Sequence, residues 1–341
     1  MSNSVNTSPL LEVKNLSKRF DLDHGFLESV KFRGGKLISE RRSVHAVNGV
    51  SFDVKLAEAL CIVGESGCGK STIARLVAGL LKPNGGEIFY DGERIDNRDR
   101  KALMPLRKKM QMIFQNPYAS LNSRMTIQQA LEEPVRYHNP QLGSSEVRDK
   151  VEQVMQSVGV DPGWSGRYPH EFSGGQRQRI AIARALTVDP EFIIADEPIS
   201  ALDVSIQAQV LNLLLEAKEK RGLTYMFISH DLSVVKHFGT RVAVLYLGSI
   251  CELADTATLF DNPKHPYTKA LLSAVPQLGD DSPGHIRLEG EIPTPIDLPV
   301  GCPFQNRCAF ANGRCKSEKP EQVLQADGSI VACHAVEEKR V

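Results

Sequence analysis

The chain has 341 residues, of which 41% are apolar and 24% carry a charge, an ordinary composition for a globular protein. This length provides for about two domains with sizeable cores. Basic and acidic side chains number 41 each, so the net charge is zero and gives no electrostatic support for nucleic-acid binding. No apolar run approaches the ~20 residues that cross a bilayer. Residues 1–15 also lack a basic region followed by an apolar one, so we expect a cytosolic protein without a secretory signal.

Strands and helices are predicted to alternate along the chain. Residues 11–20 and 44–54 are rich in Val, Leu and Phe and are expected as strands, with the polar, basic segment 21–43 as a solvated loop between them. Contact with a membrane surface or a partner is the alternative for that segment. Further strands are predicted at 58–63, 88–95, 110–114, 192–195, 225–229 and 242–247, and helices at 71–80, 126–160, 176–187 and 206–217.

This order of elements predicts the fold class. Strands that alternate with helices favour an α/β fold with a parallel sheet, and the continuous apolar run at 192–195 is typical of a strand covered on both faces. Asp91 and Gly92 between β-prone residues indicate a hairpin, and therefore an antiparallel attachment. After residue 262 the pattern changes, because five prolines between 276 and 299 favour an extended arm or linker.

A phosphate-binding loop is predicted at residues 64–71. Their sequence, GESGCGKS, fits the pattern G-x-x-x-x-G-K-[ST] and lies between a predicted buried strand and a predicted helix. The glycines let backbone N–H groups close around phosphate oxygens, and the helix N-terminus adds about half a positive charge. Lys70 supplies a full charge to the β- and γ-phosphates, and the Ser71 hydroxyl is placed to bind Mg²⁺. The residues expected at the nucleotide are Gly64, Glu65, Ser66, Gly67, Cys68, Gly69, Lys70, Ser71 and Thr72.

Two carboxylates end the predicted strand at 192–197, whose sequence is FIIADE. Successive strand residues point to opposite sides, so Asp196 and Glu197 are expected to do different work. We assign Asp196 to the Mg²⁺ shell and Glu197 to the attacking water as general base. Acidic residues often end strands, so this pair indicates phosphate chemistry only in combination with the phosphate-binding loop.

A second glycine motif links the chain to a known family. Residues 172–176, FSGGQ, lie twenty residues before Asp196 and resemble the LSGGQ signature of ATP-binding cassette (ABC) proteins. The family's other motifs follow in order, which implies roles for three more residues. Gln115 matches the Q-loop glutamine that links Mg²⁺ and the transport partner, Asp203 belongs to a D-loop match, and His230 matches the switch histidine that senses the γ-phosphate.

The resemblance also implies an adenine contact and a dimer. Phe20 is the best match for the aromatic residue that stacks on adenine, although the segment after it blurs the spacing. The signature residues Ser173, Gly174, Gly175 and Gln176 precede a predicted helix and would form another anion cradle. In the family, two chains sandwich ATP head to tail, so that the signature of one faces the phosphate-binding loop of the other. Whether the second chain is identical or a paralogue is left open by the sequence.

The C-terminal region resembles one branch of ABC proteins, the ATPases of dipeptide and oligopeptide importers. The matching segments are NPKHPYTKALLSAVP (262–276), CPFQNRC (302–308) and VACH (331–334). The resemblance implies a P-loop (RecA-like) ABC ATPase core of the α/β class, with an antiparallel β subdomain and a helical subdomain, followed by a Cys-containing C-terminal extension. We expect the core at 10–261, its helical subdomain at about 117–185 and the extension at 262–341.

Four of the seven cysteines, Cys302, Cys308, Cys315 and Cys333, lie close together in this extension, with spacing C-x5-C-x6-C-x17-C. In a chain without an export signal this favours thiols or metal ligands over disulfides. The paired C-x2-C of zinc sites is absent from the sequence, and four thiolates from one short segment fit an iron–sulfur cluster better. The resemblance implies a 4Fe–4S cluster at these four positions; zinc and ordinary buried thiols are the alternatives.

The resemblance implies the ATP-hydrolysing subunit of a membrane importer for dipeptides or oligopeptides. Within this branch the chain most resembles the F-type subunit. That subunit pairs with a D-type ATPase and docks on two permease subunits at the cytoplasmic face of the inner membrane. An extracytoplasmic binding protein supplies the substrate in such systems. Alternative substrates are nickel complexes, glutathione or oligosaccharides, and alternative classes are an exporter ATPase or a soluble ABC ATPase acting on nucleic acid or ribosomes. The motifs at the phosphates do not distinguish these classes.

Overall fold

The computed structural model describes residues 8–22, 30–33, 36–39, 42–275, 286–291 and 293–341. Within these residues the strands are β1 (Leu11–Asp21), β2 (Val30–Arg33), β3 (Lys36–Ser39), β4 (Ser43–Val54), β5 (Ala59–Val63), β6 (Gly85–Tyr90), β7 (Glu93–Arg94), β8 (Met110–Ile113), β9 (Phe192–Asp196), β10 (Thr224–Ile228), β11 (Arg241–Tyr246), β12 (Ser249–Asp255), β13 (Val323–Leu324) and β14 (Ile330–Val331). The helices are α1 (Lys70–Val77), α2 (Met104–Lys109), α3 (Pro117–Ser120), α4 (Ile127–His138), α5 (Ser144–Ser157), α6 (Gly174–Leu186), α7 (Val204–Arg221), α8 (Leu232–Phe238), α9 (Thr256–Asp261), α10 (Pro266–Ser273), α11 (Gly313–Ser317) and α12 (His334–Glu337).

The predicted strands and helices are confirmed, with two differences. The helical stretch expected at 126–160 is interrupted between α4 and α5, because Pro140 has no N–H group to donate and Gly143 begins the second helix as its N-cap. The loop expected at 21–43 contains an antiparallel hairpin of β2 and β3, in which Val30 pairs with Ser39. Residues 23–29, 34–35 and 40–41 of that segment, which include Gly25, Gly34 and Arg41, lie outside the described residues.

The chain forms two compact units, one from residues 54–61 and 97–240, the other from 8–53, 62–96 and 241–341. The expected boundary between residues 261 and 262 is a different division and stays a prediction. In the part of the chain that the structure describes, no helix is long and apolar enough to cross a membrane.

Parallel strands form the centre of the first unit. β8 pairs with β9, and β9 with β10, all in the same direction. Both β9 and β10 are buried along their whole length, which confirms the strand covered on both faces that the apolar run predicted. Because Ile113 pairs with Ala195, and Asp196 with Ile228, the three strands end at the same edge of the sheet.

A helical segment lies between β8 and β9 in the chain and consists of α3 to α6. Helix α4 begins with a capping box in which the side chains of Thr126 and Gln129 bind each other's backbone N–H groups. Its apolar residues at positions 127, 130, 131 and 135 are buried on one face. This segment occupies the place expected for a helical subdomain.

Antiparallel strands dominate the second unit. β1 pairs with β6, and β6 with β7 across a tight turn at Asp91 and Gly92. Both turn residues have positive φ, 50° and 75°, as the hairpin motif requires. The predicted hairpin and antiparallel attachment are therefore confirmed. Elsewhere in this unit β12 lies between β11 and β14, antiparallel to both.

Three aromatic rings connect the C-terminal residues to this unit's core. Tyr246 of β11, Tyr267 of α10 and Phe304 lie with ring centroids 4.7 to 5.4 Å apart, and all three rings are buried. Such contacts between aromatic rings stabilise beyond the area they bury. Of the proline-rich stretch, residues 286–291 and 293–299 contain no helix or strand, while 276–285 and 292 lie outside the described residues.

Replacing Phe304 by Ala should lower the free energy of unfolding by about 3–5 kcal/mol, because the lost ring leaves a cavity between two tyrosines. Urea unfolding followed by circular dichroism measures this loss. Phe310→Ala is the matched control: that ring is 40% exposed, and its loss should cost less than about 1 kcal/mol. Equal losses in the two variants would contradict the packing described here.

Candidate functional site

The phosphate-binding loop depends on two glycines that no other residue can replace. Gly64 has φ 150°, and a Cβ atom there would lie 2.1 Å from the backbone oxygen of Leu245. Gly69 has φ 105°, and its Cβ atom would lie 2.1 Å from the backbone oxygen of Ala46. Both conformation and space therefore require glycine at the two ends of the loop.

Lys70 is the first residue of α1 and points back into the loop. Its side-chain nitrogen donates hydrogen bonds to the backbone oxygens of Gly64, at 2.8 Å, and Glu65, at 3.0 Å. The residue is only 5% exposed, so its positive charge is held inside the loop rather than in solvent. Ser71 and Thr72 follow in the first turn of the same helix. The loop between a buried strand and a helix N-terminus is thus the arrangement that the motif predicted.

Phe20 lies near the end of β1 in the same unit. Its ring is 38% exposed, and the ammonium of Lys18 lies 5.2 Å from the ring centre. An exposed aromatic face is what stacking on a base requires. Contact with adenine stays a prediction for this residue.

In the other unit, Gln115 and His230 converge on the carboxylate of Glu197. The amide nitrogen of Gln115 donates a 3.0 Å hydrogen bond to Oε2 of Glu197, and Nδ1 of His230 lies 3.3 Å from the same oxygen. Each residue follows one of the parallel strands β8, β9 and β10, so the edge of the sheet brings together residues that are far apart in sequence. The structure therefore brings together three of the four residues predicted to be catalytic. The fourth, Lys70, belongs to the second unit.

The backbone at Glu197 adopts a left-handed conformation, with φ 47°. This conformation costs a residue with a side chain about 1–3 kcal/mol, and such strain is concentrated at functional sites. By contrast, Asp196 ends β9 in regular strand geometry and is 3% exposed. The two neighbouring carboxylates therefore have different surroundings, in line with the different tasks expected from strand alternation.

The signature residues form the capped N-terminus of α6. Oγ of Ser173 accepts a hydrogen bond from the N–H of Gln176, whose side-chain oxygen accepts one from the N–H of Ser173. Gly174 begins the helix. At Gly175 a Cβ atom would lie 2.4 Å from a methyl carbon of Ile206, so this glycine allows close packing of α6 on α7. Phe172, which replaces the family's leucine, is buried against Trp164.

Asp203, the D-loop residue, is the N-cap of α7. One turn into that helix, the amide of Gln207 donates hydrogen bonds to the backbone oxygens of Ile199 and Leu202, at 3.1 and 3.0 Å. Gln207 thus holds the D-loop in place. The sequence offered no signal for this role, because a polar residue near a helix start is usually solvated.

Sequence reasoning also missed two residues that contact the phosphate-binding loop from the C-terminal part of the chain. The guanidinium of Arg307 binds both carboxylate oxygens of Glu65, at 2.8 and 3.1 Å. The hydroxyl of Tyr267 accepts a hydrogen bond from the backbone N–H of Glu65 at 3.0 Å. Glu65 was predicted only as a member of the loop, and the structure shows that both its side chain and its backbone are held.

The position of Tyr267 is fixed by a buried polar cluster at the start of α10. Glu252 accepts hydrogen bonds from the backbone N–H groups of Lys264 and His265, both at 2.9 Å. Nδ1 of His265 accepts from the N–H of Tyr267 and so caps the helix. Burial raises the pKa of Glu252 and lowers that of His265 to about 3, so the imidazole is neutral at physiological pH.

The four clustered cysteines are free thiols. Burial, with a smaller contribution from the other three thiols, raises the pKa of Cys302 to about 12. Burial likewise raises the pKa of Cys308 and of Cys333, and the neighbouring thiols, Cys315 among them, add to both shifts. Every pair of the four therefore lies within electrostatic range. Even so, the described His, Cys, Asp and Glu residues include no group of three placed to hold a metal ion, which supports neither the predicted 4Fe–4S cluster nor the zinc alternative.

Comparisons with known proteins place the chain among transport ATP-binding proteins. Residues 47–200 match the ABC transporter family, and residues 251–315 match the C-terminal region of oligopeptide/dipeptide transporters. The chain is 49% identical to the oligopeptide transport ATP-binding protein AppF of Bacillus subtilis, over 97% of this chain and 98% of that protein. It is 46% identical to the dipeptide transport ATP-binding protein DppF of Escherichia coli, over 97% of this chain and 95% of that protein. A dimeric, post-hydrolysis ATP-binding cassette with bound ADP and Pi is similar in structure, with a TM-score of 0.62 and 27% identity over 72% of this chain and 98% of the other.

The neutral His265 should make stability depend on pH. Its pKa is about 3 in the folded protein and 6.5 in the unfolded chain, so below pH 6.5 only the unfolded chain takes up the proton and stability falls. His265→Asn keeps an acceptor for the Tyr267 N–H but does not titrate. Between about pH 7.5 and pH 5.5 the wild-type protein should therefore lose about 1.4 kcal/mol more of its unfolding free energy than the variant. Urea unfolding at the two pH values measures the difference, and equal losses would contradict a buried neutral imidazole.

Proposed function

We propose that this chain hydrolyses ATP to drive peptide import through membrane permeases. The proposal starts from its family, because the chain belongs to the oligopeptide and dipeptide transport ATP-binding proteins of the ABC transporter family. The observation that carries the ATPase assignment is the convergence of Gln115 and His230 on the carboxylate of Glu197. A general base must be held within reach of the water that it activates, and these two contacts fix the position of one carboxylate oxygen.

In the proposed reaction, the loop 64–71 binds the phosphates of ATP through its backbone N–H groups, and Lys70 neutralises charge on the β- and γ-phosphates. Glu197 accepts a proton from the water whose oxygen attacks the γ-phosphorus, and ADP leaves as the bond to the γ-phosphoryl group breaks. Ser71, Asp196 and Gln115 would hold Mg²⁺, which would supply further positive charge to the phosphate oxygens. His230 senses the γ-phosphate, and Phe20 stacks on the adenine.

The signature and D-loop are proposed to act in a dimer of two ABC chains. Ser173, Gly174, Gly175 and Gln176 would face the ATP that is held by the partner's phosphate-binding loop, with Asp203 beside the same interface. One chain has a single γ-phosphate to hold and two helix N-termini suited to an anion, at α1 and α6, which supports this arrangement. The similar solved structure is itself a dimer with ADP and Pi. We propose a D-type paralogue as the second chain.

Transport requires further partners. We propose that the ATPase pair docks on two integral-membrane permease subunits, so that the chain is peripheral at the cytoplasmic face of the inner membrane. An extracytoplasmic binding protein would deliver the substrate. Dipeptides and oligopeptides are favoured over nickel complexes, glutathione or oligosaccharides because the relatives are named for peptide transport and the C-terminal match is to peptide transporters. The zero net charge disfavours action on nucleic acid or ribosomes.

Glu197→Gln should lower the rate of ATP hydrolysis at least about 100-fold, because the amide cannot accept the proton from water. Phosphate release measures the rate, and size-exclusion chromatography with the second ATPase subunit should show an ATP-dependent dimer that persists. Glu191→Gln is the matched control, since Glu191 lies just before the opposite end of β9 and is paired with Lys109 on the surface. An unchanged rate in Glu197→Gln would remove Glu197 from its proposed role.

We further propose that Cys302, Cys308, Cys315 and Cys333 bind a 4Fe–4S cluster. Four sulfurs around one zinc ion, each at ~2.3 Å from the metal, must lie very close to one another. A four-iron cluster is wider, because each thiolate binds a different iron. The cluster is favoured over zinc because the sequence lacks the paired C-x2-C of zinc sites, and because each of these thiols contributes to the electrostatic surroundings of the others. When bound, the cluster would cross-link a C-terminal region with few regular elements.

Anaerobically purified protein should contain about four irons and acid-labile sulfide per chain. Cys315→Ser should lose both, because one of the four ligands is gone. Cys61→Ser, which removes a buried thiol outside the set, should retain them. Wild-type protein without iron and sulfide, or with one equivalent of zinc instead, would overturn this proposal.

A further inference from the structure

Glu65 connects the phosphate-binding loop to the C-terminal part of the chain. Arg307, which lies 242 positions away in the sequence, binds both of its carboxylate oxygens. The Arg307 side chain is 8% exposed and that of Glu65 is 23% exposed, so solvent screens the pair only weakly. Bidentate pairs of this kind are short, directional and costly to break when buried.

Tyr267 holds the backbone of the same residue. Its hydroxyl accepts the Glu65 N–H, and the buried ring has little freedom because Tyr246 and Phe304 pack against it. The start of α10 is fixed in turn by His265 and Glu252, as described above. Both the side chain and the main chain of Glu65 are therefore set by elements outside the loop.

The position of Glu65 also affects the position of the Lys70 ammonium, the positive charge of the loop. The backbone oxygen of Glu65 accepts one of the two carbonyl hydrogen bonds that position the ammonium of Lys70. A movement of Glu65 would move that oxygen, and with it the lysine. Arg307 also neutralises a carboxylate that would otherwise repel an anion bound to the loop. The fixed position of Lys70 and the neutralised carboxylate of Glu65 should therefore both strengthen the binding of phosphate to the loop.

We propose that Arg307 and Tyr267 are positioning residues for the phosphate-binding loop, and that through Glu65 they set the affinity of the chain for ATP. This inference rests on the proposed function of the loop as the ATP site. Arg307 directly precedes Cys308, so a change in the conformation of the segment 302–308 would alter ATP binding through the ion pair of Arg307 with Glu65. The C-terminal extension is then part of the nucleotide site and not only an attachment to it.

The test measures the dissociation constant for ATP with the full chain, by displacement of a fluorescent ATP analogue. Arg307→Gln should weaken ATP binding about tenfold, which corresponds to about 1.4 kcal/mol. Its kcat at saturating ATP should change less than twofold, because Arg307 does not touch the reacting atoms. Arg314→Gln is the matched control: Arg314 directly precedes Cys315 and pairs with Glu318, Glu337 and Glu338, away from the loop. It should bind ATP as the wild-type protein does.

A double-mutant cycle separates a path through Glu65 from a direct effect of the arginine charge. In a Glu65→Gln background, Arg307→Gln should change the dissociation constant less than twofold. An equal loss in both backgrounds, or no loss in either, would overturn the proposal. If Arg307→Gln does not fold, Tyr267→Phe serves instead, because it removes one hydroxyl and keeps the ring; unchanged ATP affinity in that variant would overturn the proposal as well.

ATP binding by the wild-type protein and by Lys70→Ala distinguishes failure of the positioning role from failure of the proposed function. ATP binding that Lys70→Ala abolishes supports the proposed function, whatever the outcome at Arg307. If that holds while Arg307→Gln binds ATP normally, only the positioning role fails. A wild-type chain that does not bind ATP would overturn both.

Discussion

The position of the Lys70 ammonium is the constraint on which the nucleotide chemistry of this protein depends. A buried positive charge is stable only where polar groups surround it, and here the backbone oxygens of Gly64 and Glu65 supply them. Those oxygens are available because Gly64 and Gly69 allow the loop to approach neighbouring backbone more closely than any side chain permits. The helix that follows contributes its N-terminal N–H groups to the same place. We therefore propose that the loop, the lysine and the helix N-terminus bind phosphate together.

The proposed catalytic edge of the other unit depends on a different constraint. Parallel strands place their carboxyl ends along one edge, so residues separated by more than eighty positions meet at a single carboxylate. The strained backbone of Glu197 and the regular strand geometry of Asp196 give adjacent acids different surroundings. In this way one strand end could carry both the proposed metal ligand and the proposed general base, on loops positioned by a rigid sheet.

Much of this architecture could be predicted from the sequence, because its signals are local. The motif at 64–71, the apolar run before Asp196 and the turn at Asp91 each specify their own conformation over a few residues. The order of the ABC motifs added Gln115 and His230. The ion pair of Arg307 with Glu65 could not be predicted, since no periodicity or spacing connects residues so far apart and an arginine beside a cysteine is ordinarily solvated. The hairpin of β2 and β3 was missed for another reason, because its polar, basic sequence resembles a loop.

We propose that ATP hydrolysis by this chain drives import through membrane permeases. Its most direct test is gentle detergent purification of the tagged chain from its native membranes, followed by mass spectrometry of the proteins that accompany it. Two multi-spanning permeases and a second ABC ATPase of the D-type should accompany the chain. A chain that stays in the soluble fraction and brings down nucleic acid or ribosomes would leave the ATP chemistry standing but contradict the assignment to transport.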